Sequence, residues 1–208
     1  MKIRPLVAAM AAIVLTGAAL AQSTGAPLAP AISAPVEAAF SRMLAAPSVK
    51  AALAAIEADD ERTLRDQIEL TEIPAPPFKE AVKAAEYLKR VKALGFADAK
   101  IDSEGNVIAR RAGKGGGPTL VVSAHLDTVF PEGTDVKVKK QGERYSAPGI
   151  YDDNRGLAAL LSVMRAMQSG ALKTVGDVWF VATTGEEELG DLRGVKALFR
   201  DNKNIDGF

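Results

Sequence analysis

Two runs limit what this chain can fold into more than any others: "PTLVVSAHLD" at 118–127 and "DVWFVATTG" at 177–185. Both are apolar and of strand length, and they read as buried strands. Between them, Leu157, Leu160, Leu161, Met164 and Met167 recur at helical spacing, which predicts a helix from about Asn154 to Met167. "AKIDSEGNVIARRAG" reads as two strands around a Glu-Gly-Asn turn, "VKVKKQGERYSA" as a partly exposed hairpin, and "LRGVKALFRD" as a short helix. Upstream, Ala39, Phe40, Met43, Leu44, Leu53, Ile56, Leu64, Ile68 and Leu70 give a helical pattern from Pro35 to about Glu72, which Pro74, Pro76 and Pro77 end. A second helix is expected from about Lys79 to Leu94, with Ala84, Leu88 and Val91 on one face and Gly95 as its stop. Helices alternating with apolar strands indicate an α/β sandwich. The glycine-rich "AGKGGGPT" at 112–119 lacks phosphate-loop spacing and enters a strand, so it reads as a plain hairpin loop.

The chain has one histidine and no cysteine, which excludes disulfides, thiol nucleophiles and thiolate metal sites. Any metal must be held by His, Asp or Glu. No G-x-S-x-G elbow is present, which disfavours serine acyl transfer as well. Charge is balanced, with 26 basic against 26 acidic side chains, and there is no basic stripe, which argues against nucleic acid or an anionic membrane as partner. At the N-terminus, Lys2 and Arg4 lead into "LVAAMAAIVLTGAAL" and then Ala19-Leu20-Ala21, the pattern of a secretory signal peptide cleaved after Ala21. The expectation is a periplasmic or secreted protein without stable membrane association. Residues 1–21 are read as the signal, 22–34 as a flexible tether, and 35–208 as a folded domain.

Three clusters sit where the apolar segments end. His125 and Asp127 are two apart, hence on one face of an extended segment, as suits a metal ligand and the carboxylate that orients it. In "GIYDDNRG", Asp152 and Asp153 precede the helix at 154–167; one aspartate would cap it, and a second beside it adds repulsion that a cation relieves. Glu186 and Glu187, with Glu188, follow the strand that ends at Gly185, the edge where α/β folds place their sites. The set is of the kind that binds a zinc pair through oxygen and nitrogen.

In that order, the clusters resemble the zinc-dependent exopeptidase and deacylase family of glutamate carboxypeptidase, peptidase T, aminoacylase and succinyl-diaminopimelate desuccinylase. The resemblance runs from about Leu70 to Phe208, and "TEIPAPPFKE" resembles the segment that opens the family's catalytic domain. It implies a zinc-exopeptidase-like three-layer sandwich with a mixed central sheet. It further implies that His125 ligates one zinc and Asp127 orients it, that Asp152 bridges two Zn2+ ions with Asp153 as its neighbour, that Glu186 is the general base, and that Glu187 ligates the second zinc. "DNR" also mimics the family's "DNK", which would make Asp153 the bridge; the ungapped match of "GIYDD" and Gly156 favours Asp152. The implied reaction is hydrolysis of amide bonds in small peptides or N-acyl amino acids. An alternative is a non-catalytic peptide-binding module that keeps the fold.

The chain also departs from the family pattern, which adds a carboxylate ligand one strand beyond the Glu-Glu pair, a C-terminal histidine, and an inserted dimerisation or lid domain. Asp206 does not replace that carboxylate, because it precedes the start of an apolar strand whereas the family's ligand lies beyond one. These departures lead to the expectation of the N-terminal part of a longer hydrolase, incomplete at its C-terminus. Homodimers would belong to the full-length form only.

Overall fold

The computed structural model describes residues 32–169 and 172–208; the expected signal segment and nearly all of the expected tether lie outside the described residues. Among the described residues three helices come first, α1 (Ala34–Ala45), α2 (Pro47–Ala58) and α3 (Asp60–Thr71), then α4 (Ala81–Ala93). The expected single helical stretch is thus divided. Pro47 cannot continue α1 but suits the first turn of α2, where its missing N–H would have no partner anyway. Helix α4 stops where expected, with Gly95 at φ 93°. Among the described residues no single helix is long and apolar enough to cross a membrane.

The sheet is mixed and four-stranded, in the order β1 (Lys100–Ile101), β2 (Val107–Arg111), β6 (Val178–Thr183), β3 (Leu120–His125). β6 runs parallel to β3 and antiparallel to β2, and all six of its residues are buried. Side-chain alternation splits the core into two layers. Val107, Ala109, Ala124, Phe180 and Ala182 pack against Leu70 of α3, Tyr87 and Val91 of α4, and Leu157, Leu161 and Met164 of α5 (Asn154–Ser169). Ile108, Val121, Trp179 and Val181 face the other way, onto Leu198 of α6 (Arg193–Asp201). Helix, sheet and helix form the expected sandwich. The hairpin β4 (Lys139–Gln141) and β5 (Arg144–Ser146) is exposed, as its polar composition predicts.

The loop 112–119 is not a hairpin. β2 and β3 lie on opposite sides of β6, so the loop must cross the start of that strand. It does so in close backbone contact: a Cβ on Gly113 would lie 2.3 Å from the Gly176 carbonyl oxygen, and one on Gly117 would lie 2.4 Å from the Gly176 nitrogen. The glycines serve a crossing rather than a turn. At the same end of the sheet, Asp206 accepts a hydrogen bond from Thr119 N (2.8 Å), and Gly207 bridges in parallel to Leu120. Asp206 therefore stands at the opposite end of β3 from His125.

Candidate metal centre

β3 and β6 end side by side, with His125 paired to Thr183, so the parallel register carries the first and third acidic clusters to one edge. The second arrives at the N-terminus of α5, which packs across β3. His125 is 8 % exposed. Its Nδ1 lies 3.0 Å from the Asp127 backbone carbonyl and 3.7 Å from the Asp127 carboxylate. The ring is therefore oriented chiefly by the carbonyl of Asp127. The buried carboxylate of Asp127 accepts instead from the backbone N–H groups of Glu186 (3.1 Å) and Glu187 (3.0 Å), which locks the third cluster onto the first.

The neighbouring aspartates, joined by a cis peptide bond, have separate roles. Asp153 is spent on the backbone: one oxygen accepts from Gly156 N in the first turn of α5 (3.0 Å), and the other accepts from His125 N (3.0 Å). Asp152 makes neither bond. Its carboxylate, 68 % exposed, lies 2.9 Å from His125 Nε2. Ligand atoms of His125, Asp152 and Glu187 all come within 4.8 Å of one another, and Glu186 approaches to 3.9 Å from the same Nε2.

Both nitrogens of the His125 ring face oxygen acceptors, which favours the imidazolium. Burial works against that charge, but Asp127, Asp153, Asp152 and Glu186 outweigh it and hold the histidine above its ordinary value of 6.5. The carboxylates feel the same crowding. Burial, aided by Asp152, pushes Asp153 up, and burial together with Asp152 and Glu186 pushes Glu187 up. A cation between Nε2 and these oxygens would replace a proton and relieve the repulsion. One imidazole nitrogen with carboxylate oxygens is a donor set that zinc accepts, so the residues fit the metal.

The sequence reading overlooked Lys83 behind the centre, 1 % exposed, whose Nζ donates to Asn154 Oδ1 (3.2 Å). Asn154 in turn donates from Nδ2 to the Gly149 carbonyl (2.7 Å), tying together both ends of the loop that carries Asp152. Burial lowers the Lys83 ammonium to about 8 against the opposing pull of Asp127. The available signal was a lysine on the buried stripe of α4, four residues before Tyr87.

Residues 106–208 match the family model described as Peptidase family M28. Carboxypeptidase G2 of Pseudomonas sp. (strain RS-16) is 30% identical over 105 residues, covering 47% of this chain and 25% of that protein. The crystal structure of aminopeptidase PepT from Bacillus cereus ATCC 10987 superposes with a TM-score of 0.60 at 26% identity, over 71% of this chain and 42% of that one. An aminopeptidase from the archaeon Desulfurococcus kamchatkensis shares the fold, with a TM-score of 0.58 at 17% identity over 71% of this chain and 62% of that one. The chain thus spans a quarter of the curated carboxypeptidase and about two fifths of the PepT structure.

Proposed function

Because the chain belongs to the zinc-dependent metallopeptidase and deacylase family of carboxypeptidase G2 and peptidase T, we propose that it contributes the hydrolytic centre for amide bonds of small peptides or N-acyl amino acids. The observation that carries this reading is the convergence of His125, Asp152 and Glu187 within 4.8 Å, with Glu186 beside them. These three residues would hold zinc. Asp152, largely exposed on its outer side, would share a second ion where one binds. When bound, zinc supplies Lewis acidity and lowers the pKa of a coordinated water to about 7.

Residues of the chain do the rest. Glu186 is half-buried and faces the centre, so its carboxylate can take a proton from the attacking water and pass it to the departing amine. Asp127 holds the backbone of both glutamates, which fixes where that base stands, and its carbonyl keeps the His125 ring turned toward the carboxylates. Asp153 anchors the mouth of α5 and leaves Asp152 for the metal. The signal segment would send this chemistry out of the cytoplasm.

The decisive variant is Glu186→Gln. Turnover of an N-acyl amino acid by the zinc-loaded protein should fall by about 10²–10⁴-fold, the range for loss of a general base, while zinc binding measured by calorimetry stays parental. Hydrolysis at the parental rate would remove Glu186 from this role. Peptide binding without turnover in the parental protein would identify a non-catalytic module instead.

A further inference from the structure

The metal centre does not account for the motif "TEIPAPPFKE", whose last residue, Glu80, is 4 % exposed although it is charged. Its partner lies 113 residues away. Arg193 donates from Nη2 to Glu80 Oε1 (2.7 Å), and the same oxygen accepts from Phe78 N (3.0 Å). The other arm of the guanidinium, Nη1, donates to the Glu104 carbonyl (3.1 Å), the Glu104 carboxylate (3.3 Å) and Thr184 Oγ1 (3.1 Å). One side chain thereby joins the approach to α4, the β1–β2 turn and the end of β6.

The stem of Arg193 lies against the turn that carries the catalytic-type glutamates. Gly185, at φ 59°, directly precedes Glu186, and a Cβ there would sit 2.6 Å from Arg193 Nε. Arg193 N also donates to the Gly185 carbonyl (3.2 Å). Beyond Glu187 the backbone enters the left-handed region at Glu188 (φ 42°), Asp191 (φ 50°) and Leu192 (φ 57°), none of them glycine. Such conformations are disfavoured for residues that carry a Cβ and persist only where the surroundings dictate them. Arg193 closes this strained stretch, and Glu80 fixes Arg193 from a different part of the chain.

We propose that Arg193 and Glu80 are positioning residues for the Glu186–Glu187 pair, a clamp that holds the strained turn so that both carboxylates face His125. This rests on the metal-centre reading above. The proline-rich opening segment then serves to deliver Glu80 to the clamp.

Zinc chloride titrated calorimetrically into the full chain tests it, using the parental protein, Arg193→Met, Glu80→Met and the double variant, each checked for folding by circular dichroism. Loss of a group that orients metal ligands typically weakens affinity by about 10–100-fold, and that loss is expected in both single variants. The double variant should bind no more weakly than the weaker single, because both act through one turn. A pure field effect predicts opposite shifts, tighter binding without the arginine and weaker binding without the glutamate. Opposite shifts, or parental affinity in Arg193→Met, overturn the clamp. If Arg193→Met does not fold, Arg193→Lys decides: it keeps the charge but lacks the fork, so it should also bind weakly, and parental affinity would refute the proposal. A parental chain that takes up no zinc, or a His125→Ala variant that binds equally well, would instead overturn the metal-centre reading and the clamp with it.

Discussion

The chain gathers acidic side chains in two places, with opposite results. Between α3, α4 and α5, Arg90 binds Asp66 (2.8 Å), Glu69 (2.8 Å) and Glu86 (3.0 Å), while Arg165 binds Asp59 (2.5 Å) and Asp66 (2.8 Å). At the strand ends, five carboxylates surround a single histidine, and the nearby Lys83 is committed to Asn154. Burial works against the charged form in both places. In the first, the arginines outweigh it and hold Asp59 and Glu86 below their ordinary values. In the second, burial and neighbouring carboxylates act together, and Asp153 and Glu187 rise. The same residue types form a closed ionic network in one place and an open electrostatic demand in the other. Unmet charge at the end of buried strands is the feature that marks a functional site.

The closed network should respond most strongly to a single substitution. Arg165→Met would strand Asp59, which is largely buried, leave Asp66 with Arg90 alone, and should cost about 3–5 kcal/mol in urea unfolding. A loss well below that range would mean the network is no more closed than the metal centre.

The next effect comes from the open cluster. Zinc at about 100 times its dissociation constant should stabilise the parental chain by about 2.7 kcal/mol in thermal unfolding and leave His125→Ala unmoved. Equal stabilisation of both proteins would place the ion elsewhere.

A smaller effect follows from pH. Asp59 has a folded pKa below its unfolded value of 3.8, so the stability it confers is present above about pH 4 and is lost as pH falls through the lower, folded value. The deficit of Arg165→Met relative to the parental protein should therefore shrink in strong acid. A deficit that stays constant from neutrality down to about pH 2 would show that packing rather than charge holds Arg165. The smallest effect is at the surface, where Lys137→Ala removes the partner of Glu72 and should leave the unfolding midpoint unchanged within error.

Much of the fold was legible because its signals are local. β3, α5, β6 and α6 stand where apolar spacing puts them, since continuous apolar runs and three-to-four periodicity register burial directly. The region from Pro35 to Glu72 was legible as helix but not as three helices. Alanine-rich spacing resembles one long helix, and the break rests on Pro47 alone at the first joint. The loop 112–119 was misread because its glycines have two possible causes, a turn or a close backbone crossing. Strand order decides between them, and strand order is not a local property.

The three clusters, their order, the kinds of donor they offer and the absence of any thiol alternative are properties of the amino-acid order alone. How those donors are used depends on which distant segments meet in the fold. Asp152 and Asp153 are chemically identical neighbours; Asp153 became the anchor because the backbone N–H of His125 and that of Gly156 both reach it, which left Asp152 turned toward the imidazole. Glu80 and Arg193 are ordinary charged residues until four segments close around them. Composition and spacing report which groups a chain carries. Hydrogen bonds between distant segments decide which of those groups remain free, because a donor or acceptor already paired inside the fold is no longer available to a ligand.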